Sequence, residues 1–335
     1  MSQRLPDNWQ QWVALNLMNG SPPEELEGIL IKEGFAQALA AQSVTEAKAH
    51  PYVAAGSSLA RQMKKRDWVL QFLSMLEEQS PQYPQVERRH KLSRNELFEE
   101  YYTQNKPVVI TGMLDNWPAM TKWTPQYLKS KFGHLEVEVQ AKRGEDPEYE
   151  INSVAHKSRM NFGDYIDMVH SGVETNEYYI TANNTGHNAT VLKELWEDTD
   201  GLPEYLKQDP NNPGFFWYGP KGIVTPLHHD LTNNFMAQVL GRKRIMLIPP
   251  TRLPFVYNHF HCYSPVDIDN IDYSRFPAFR NVHPKEVILA PGEILFLPVG
   301  YWHHVSGMDI VITMTYTNFV FPNDFSAFYS TTEHL

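Results

Sequence analysis

The first part of the chain carries apolar positions at the spacing of helices. Apolar residues recur at intervals of three and four positions through NWQQWVALNLMNG, and the run stops at Gly20. The next stretch opens with Ser21 as the expected N-cap and Glu24 at the capping-box position. A further apolar stripe runs through residues 68–76. The pattern predicts three or four short helices in a helical N-terminal region, residues 1–80.

The pattern changes beyond this helical region. Residues 81–90 are rich in proline and charge, which is typical of a linker, and Ser93 with Glu96 forms a second predicted capping box. From about residue 177 to 321, short β-type runs such as GFFWYG, NFMAQVLG and IVITMTYTNFVF alternate with glycine and proline turns. Many short strands at such spacing predict a sandwich or barrel, so residues 91–335 are expected to form one mainly β domain.

Composition narrows the classes of function. Of the 335 residues, 42% are apolar and 20% are charged, which is ordinary for a globular protein. The single cysteine, Cys262, excludes an internal disulfide and a cysteine-based zinc site. The formal net charge, 29 − 39 = −10, argues against a nucleic-acid partner bound through many phosphate contacts. Because there is no signal-peptide pattern and no apolar run of the about 20 residues that cross a bilayer, a cytoplasmic protein without membrane contact is expected.

Metal-binding residue types cluster in the stretch TPLHHD. Side chains two positions apart on a strand point to the same face, so His228 and Asp230 can converge on one ion while His229 points away. A third ligand has to come from another strand, and the β run YWHHV offers His303 and His304, between which strand alternation alone does not decide. Two histidines and one carboxylate with open positions are the facial triad of Fe(II) oxygenases.

Several motifs in order resemble those of JmjC-type, cupin-like 2-oxoglutarate oxygenases. They are KPVVITGMLDNWPA, GPKGIVTPLHHDLTNNFMAQVLGRKRIMLIPP and PGEILFLPVGYWHHV, and the likeness covers roughly residues 88–321. Within this family the chain looks most like the asparaginyl hydroxylase that acts on hypoxia-inducible factor, and its bacterial relatives. The resemblance implies a mainly β fold, a double-stranded β-helix (jelly-roll) core with flanking helices, that uses Fe(II), 2-oxoglutarate and O₂. It also selects His303, which directly follows Trp302, as the third metal ligand and leaves His304 a supporting role.

The resemblance further implies a 2-oxoglutarate pocket. By their positions in the motifs, its residues are Thr225, Asn234, Lys243, Asn318 and Tyr179, with Tyr178 as the rival of Tyr179. Lys243 is expected to pair with the distal carboxylate of 2-oxoglutarate. The pattern along the strand agrees, because Lys243 alternates with Ile245 and Leu247 and should share their inward face. An ammonium on an apolar face needs an anionic partner, which a dicarboxylate would supply.

The expected function is that of a 2-oxoglutarate-dependent dioxygenase, EC 1.14.11.-, in which His228, Asp230 and His303 act through the iron. It would hydroxylate an amino-acid side chain of a protein or peptide, with succinate and CO₂ as coproducts. N-methyl-lysine demethylation, tRNA hydroxylation, a non-catalytic cupin and a zinc-dependent cupin stay open as alternatives. No substrate-binding residue is predicted.

The chain also departs from the asparaginyl hydroxylase in three places. It has His229 between the two ligands, it has Val320 after the last pocket position, and it ends at Leu335, where dimerising helices are expected to be missing. Whether it forms a homodimer is therefore left open.

Overall fold

The computed structural model describes residues 4–209 and 214–329, so Leu335 lies outside the described residues. The chain divides into two compact units, one up to Met75 and the other from Leu76 onward. The boundaries predicted at residues 80 and 90 stay predictions.

The first unit is helical, and its apolar residues form a separate core that includes Val13, Leu26 and Leu30. Gly20 ends the first helix in the left-handed conformation, at φ 91°, where the sequence predicts the stop. The helices are α1 (Asp7–Asn19), α2 (Pro23–Lys32), α3 (Gln37–Ala49) and α4 (Pro51–Glu78), the last of which ends in the second unit.

The N-cap predicted at Ser21 is wrong. Helix α2 begins at Pro23 after Pro22, and no side chain caps it, so Glu24 has no capping-box partner. The backbone N–H of Ser21 donates instead to the carbonyl of Asn16 at 3.0 Å. The short connection therefore completes the end of α1, and because α2 begins at Pro23, the N-cap position falls on Pro22, one residue after Ser21.

The second unit is mainly β, with short helices around its strands. The capping box predicted at Ser93 and Glu96 is present. The strands are β1 (Glu87–His90), β2 (Val108–Thr111), β3 (Glu136–Ala141), β4 (Lys157–Asn161), β5 (Tyr178–Tyr179), β6 (Phe215–Gly219), β7 (Val224–His229), β8 (Asn234–Leu240), β9 (Lys243–Ile248), β10 (Lys285–Leu289), β11 (Glu293–Leu297), β12 (Trp302–Gly307) and β13 (Val311–Tyr316). The helices are α5 (Arg94–Glu96), continued by a π-helical segment (Leu97–Tyr102), α6 (Ala119–Lys122), α7 (Pro125–Phe132), α8 (Phe162–Val169) and α9 (Thr185–Val191).

Two sheets form the core of this unit. One has six strands in the order β1-β2-β11-β8-β13-β6, and the other has four in the order β10-β9-β12-β7. All pairs are antiparallel except β1 with β2, which is built from the last four residues of the predicted linker. A buried apolar cluster takes Leu295 from the six-stranded sheet and Leu247 and Val305 from the four-stranded sheet, so the two sheets pack face to face. The predicted double-stranded β-helix fold, mainly β with flanking helices, is confirmed.

Strand β11, in the interior of the six-stranded sheet, is buried on both faces. Ile294 and Phe296 of β11 belong to a large apolar cluster with the helices, whereas Leu295 and Leu297 face the other sheet. This alternation follows the two-residue period of a strand.

Candidate metal and cosubstrate site

Three side chains predicted as metal ligands lie together at the end of the four-stranded sheet. His228 is on β7, Asp230 follows directly after that strand, and His303 is on the neighbouring strand β12, paired in register with His228. Their candidate ligand atoms all lie within 4.8 Å of one another. Two imidazoles and one carboxylate at this separation can bind one divalent transition metal and leave positions free.

Backbone carbonyls orient both imidazole rings. Nδ1 of His228 lies 2.8 Å from the carbonyl oxygen of Pro226, and Nδ1 of His303 lies 3.0 Å from that of Tyr301. A ring whose Nδ1–H donates to a carbonyl presents an unprotonated Nε2 as its ligand atom. Burial, with the nearby His228, lowers the pKa of His303 far below its ordinary value, so this imidazole is neutral and ready to bind a metal.

The carboxylate ligand is also oriented. Nδ2 of Asn234 donates to Oδ2 of Asp230 at 3.2 Å, and Oδ1 of Asp230 lies 3.9 Å from Nε2 of His228. One carboxylate oxygen is therefore held by the amide while the other faces the histidines. This arrangement favours a single-oxygen ligand from Asp230.

The neighbouring histidines point elsewhere. Nε2 of His304 lies 3.6 Å from a carboxylate oxygen of Asp269, on the opposite face of β12 from His303. The ring of His229 packs against Trp302, with 4.8 Å between the centroids. The structure thus separates the two pairs of adjacent histidines in the way that alternation on a strand requires.

A cavity of about 260 Å³ opens beside these ligands, between the two sheets. Of the residues predicted for the cosubstrate pocket, Thr225, Asn234 and Lys243 line it. The predicted Tyr179 does not line the cavity itself but contacts Lys243, since its hydroxyl accepts a hydrogen bond from Nζ of Lys243 at 3.1 Å. The rival Tyr178 is turned away and donates to the carbonyl of Met168 at 2.8 Å.

The ammonium of Lys243 is buried at the site and has no ion-pair partner among the described residues. Its side chain is 3% exposed, and no carboxylate within residues 4–209 and 214–329 lies within ion-pairing distance of it. Burial lowers the pKa of Lys243 to about 7. A buried cation aimed into a cavity and lacking an anionic partner fits a site for an acidic ligand, which is the role expected from the sequence.

The prediction for Asn318 disagrees with its position. Its Nδ2 donates to the carbonyl of Lys207 at 2.6 Å, and the residue does not line the cavity. Thr315 and Thr317 line the cavity instead, because side chains alternate along β13 and the segment that follows it. Asn318 is one residue further along and is directed to Lys207, so its place in the cosubstrate pocket stays a prediction.

Several lining residues were not predicted from the sequence. Phe215 and Trp217 of β6 could have been proposed from strand alternation, since they occupy alternate positions of one β run. Glu150, Asn183 and Tyr263 come from irregular segments, for which no periodicity exists to predict which side chain turns inward.

Comparison with known proteins agrees with this fold and this arrangement of ligands. A model of the cupin-like domain family matches residues 94–324, more than half of the chain. The chain belongs to the cupin-like domain family. The relatives include JmjC-domain proteins, which supports the broader resemblance seen in the sequence, while the more specific likeness to the asparaginyl hydroxylase stays a prediction. Fe(II), 2-oxoglutarate and O₂ are the cofactors of this JmjC and cupin-like group, as predicted, and the His228, Asp230 and His303 cluster offers the metal a place.

Three relatives show the range of the similarity. Lysine-specific demethylase 8 of Xenopus tropicalis is 29% identical over 250 residues, which cover 69% of this chain and 52% of the relative. JmjC domain-containing protein D of Dictyostelium discoideum is 32% identical over 248 residues, 65% of this chain and 52% of the relative. tRNA wybutosine-synthesizing protein 5 of Gallus gallus is 24% identical over 243 residues, 69% of this chain and 76% of the relative. The chain spans about half the length of the first two.

The comparisons bear on the expected partners. Relatives from Gallus gallus and Homo sapiens are named for tRNA, so the expectation that nucleic acid is an unlikely partner is unsupported. None of the described helices has the length and apolar character that a bilayer crossing requires. The cytoplasmic location and the homodimer stay predictions.

Proposed function

We propose that this chain is an Fe(II)- and 2-oxoglutarate-dependent dioxygenase that hydroxylates an amino-acid side chain of a protein or peptide substrate. The observation that carries the proposal is the convergence of His228, Asp230 and His303 beside the unpaired, buried Lys243. A metal site alone would fit many cupins. A metal site next to a buried cation fits a metal that works together with an anionic cosubstrate.

The residues present fit these groups. His228, Asp230 and His303 would hold Fe(II), which when bound activates O₂ so that one oxygen atom enters the substrate C–H bond and the other converts 2-oxoglutarate into succinate and CO₂. Lys243 would pair with the distal carboxylate of 2-oxoglutarate. Burial raises the pKa of Tyr179 far above its ordinary value, so its hydroxyl keeps a proton that it can donate to the same carboxylate.

Other side chains orient and enclose the reactants. Asn234 holds one oxygen of Asp230, and the hydroxyl of Thr225 is available on the cavity wall as a further hydrogen-bond donor to the cosubstrate. Met236 and Val305 supply apolar surface between them, which keeps bulk water from the reacting C–H bond.

The proposal is tested by adding 2-oxoglutarate to the anaerobic protein with Fe(II). We expect a weak visible metal-to-ligand absorption band, together with slow release of succinate once air is admitted. His303→Ala should abolish both signals, whereas the matched variant His304→Ala should keep the band because His304 faces away from the metal set. A wild-type protein that binds Fe(II) and gives no band would contradict the proposed cosubstrate.

N-methyl-lysine demethylation is the second candidate, because several relatives are named lysine-specific demethylases. It needs the same residues, since hydroxylation of an N-methyl group precedes loss of that carbon as formaldehyde. The two outcomes differ in their products. A stable mass increase of about 16 Da on the peptide indicates hydroxylation, and formaldehyde with a loss of about 14 Da indicates demethylation.

A further inference from the structure

The strand that carries most of the proposed site is the edge strand of its sheet. Strand β7 lies at one end of the four-stranded sheet, carries Thr225 and His228, and leads directly into Asp230. Its inner side pairs with β12. Backbone groups on the outer side of an edge strand lack a ladder partner, so other groups have to satisfy them. The contacts on the outer side of β7 therefore bear on where the metal and cosubstrate residues lie.

Side chains take the place of a neighbouring strand at Val224 of β7. Nη2 of Arg143 donates to the carbonyl oxygen of Val224 at 2.6 Å, and the hydroxyl of Tyr149 donates to the same oxygen at 3.0 Å. The N–H of Val224 donates to Oδ1 of Asn176 at 2.9 Å. Two positions further along, Pro226 has no N–H that needs a partner. This part of the edge is thus held by side chains from outside the sheet.

Arg143 is itself fixed on several sides. It lies in the irregular segment between β3 and β4 and is 1% exposed. Its Nη2 lies 2.9 Å from Oε1 of Glu150, and its Cζ lies 4.3 Å from the centroid of the Tyr149 ring. A buried guanidinium that is both ion-paired and stacked on an aromatic ring has little freedom to move. It can therefore hold the groups that it contacts in a fixed position.

The same guanidinium also contacts the other side of the cosubstrate pocket. Cζ of Arg143 lies 5.4 Å from the centroid of the Tyr179 ring, and the hydroxyl of Tyr179 accepts the hydrogen bond from Lys243. Arg143 does not line the cavity, but it contacts Val224, which directly precedes Thr225, and it contacts the partner of Lys243. It therefore connects two of the residues proposed to bind 2-oxoglutarate.

We infer that Arg143 is a positioning residue for the cosubstrate, which holds β7 and the ring of Tyr179 where Thr225 and Lys243 can bind 2-oxoglutarate together. This inference rests on the proposed function and adds to it a residue from outside the cavity. The ion pair with Glu150 compensates the buried charge of Arg143. Binding groups have to be held within about 0.5 Å of their working positions, so loss of the guanidinium should weaken binding although no ligand contact is removed.

A second buried arginine provides a matched control. Arg252 is 4% exposed, forms an ion pair with Glu78, and does not line the cavity. Arg143→Met and Arg252→Met each leave a glutamate without its arginine, so both should lower the melting temperature. Only Arg143→Met should raise the dissociation constant of 2-oxoglutarate, by at least about 10-fold, as loss of an orienting partner does. Anaerobic titration of the full chain with Fe(II) and 2-oxoglutarate, followed by the visible band, measures this constant.

A double variant separates positioning from stability. Glu150→Gln keeps the arginine and its bond to Val224, and it serves as the reference. Arg143→Met combined with Glu150→Gln leaves no unpaired charge, so it should melt at a higher temperature than Arg143→Met alone. It should nevertheless bind 2-oxoglutarate at least about 10-fold more weakly than Glu150→Gln. If the affinity returns together with the melting temperature, Arg143 acts only through its ion pair and the inference is overturned. The double variant also decides the test if Arg143→Met does not fold.

Steady-state kinetics give a second measurement that a loss of stability alone would not move. In the slow release of succinate without a peptide, Arg143→Met should raise KM for 2-oxoglutarate about 10-fold and change kcat by less than about 3-fold. Arg252→Met should keep the wild-type KM. If KM is the same in both variants, Arg143 has no part in positioning the cosubstrate.

The proposed function and this inference fail in different ways. If the wild-type protein with Fe(II) and 2-oxoglutarate shows no visible band, the proposed function fails. If the wild-type band forms and Arg143→Met binds 2-oxoglutarate as tightly as Arg252→Met does, the inference about Arg143 is overturned while the oxygenase function stands.

Discussion

The ammonium of Lys243 donates a hydrogen bond to the hydroxyl of Tyr179 across 3.1 Å, and this is its one polar contact within the described residues. Both side chains are buried. A cation placed in this way destabilises the protein on its own and gains its partner only when an anion enters the cavity. The pair therefore links the stability of the fold to the presence of the cosubstrate.

Replacing Lys243 by a neutral residue should make the protein more stable and weaken its binding of 2-oxoglutarate. We expect Lys243→Met to raise the free energy of unfolding of the ligand-free protein by about 2–4 kcal/mol at pH 7, because no ammonium has to lose its water. The same variant should bind 2-oxoglutarate at least about 100-fold more weakly, since a buried charge pair is lost. Urea unfolding with and without 2-oxoglutarate measures both effects.

Arg244→Met is the matched control for this experiment. Arg244 is the next residue on β9, faces outward, and pairs with Asp269 and Glu286 near the surface. Its loss should change the stability by about 1 kcal/mol or less and leave the affinity for 2-oxoglutarate intact. A Lys243→Met protein that is less stable than the wild type and still binds 2-oxoglutarate normally would contradict the assignment.

The depressed pKa of Lys243 predicts a pH dependence with a definite sign. Between about pH 7, the folded value, and pH 10.5, the unfolded value, the unfolded chain binds more protons at this position than the folded one. Stability of the ligand-free protein should therefore rise with pH through this window. Between pH 7 and 9, below the range in which tyrosines ionise, the slope should reach about 1.4 kcal/mol per pH unit from this group.

Denaturant titrations at pH 7, 8 and 9 measure that slope. The Lys243→Met variant, which lacks the titrating group, should lose this contribution. Calorimetry should in addition show proton uptake when 2-oxoglutarate binds near pH 8, because the bound dicarboxylate restores the charge on Lys243. Binding without any proton uptake at that pH would indicate that the ammonium is already charged in the free protein.

Two asparagines predicted for the same pocket should behave differently. Asn234→Ala removes the hydrogen bond to Oδ2 of Asp230 and should weaken the affinity for Fe(II) by about 10-fold or more, as loss of an orienting partner of a ligand does. Asn318→Ala removes a contact to the carbonyl of Lys207 and should leave the affinities for Fe(II) and 2-oxoglutarate within about 3-fold. Anaerobic Fe(II) titration followed by the visible band measures both, and a larger effect from Asn318 would restore its predicted place in the pocket.

The fate of these two residues shows how far the sequence can predict the site. His228, His303 and Lys243 lie on regular strands, where the two-residue period fixes the face of every side chain once one is known, and all three border the cavity. Asn318 follows the end of β13 and does not line the cavity, and the roles of all four residues stay predictions. Glu150 had no period to follow at all, although it lines the cavity.

The same distinction applies to the fold. Capping at Ser93 was predicted correctly because Glu96 completes a local, reciprocal pair of hydrogen bonds. Capping at Ser21 failed because α2 begins at Pro23, which puts Pro22 rather than Ser21 at the N-cap position. Sequence patterns identify interactions that close within a few residues, and they are less certain about the residue at which an element begins.

A side chain added at Gly219 tests the role of Tyr179 in the pocket. It lies at the end of β6, and a methyl group at this position would come within 2.5 Å of the ring of Tyr179 and 3.0 Å of Ile223. Gly219→Ala should therefore push the ring of Tyr179 away from Lys243. We expect a loss of about 1–3 kcal/mol in the free energy of unfolding and a several-fold increase in KM for 2-oxoglutarate, with a smaller change in kcat.

Two further variants distinguish displacement of the Tyr179 ring from loss of its hydroxyl. Tyr179→Phe should reproduce the increase in KM without the full loss of stability, because it removes the hydrogen bond to Lys243 and keeps the ring. Gly186→Ala, in helix α9 where the new methyl group would meet no side chain or other segment within 4 Å, should leave KM unchanged and stabilise the helix by up to about 1 kcal/mol. If Gly219→Ala destabilises the protein but KM for 2-oxoglutarate does not move, Tyr179 has no part in binding the cosubstrate, and Lys243 alone would hold its distal carboxylate.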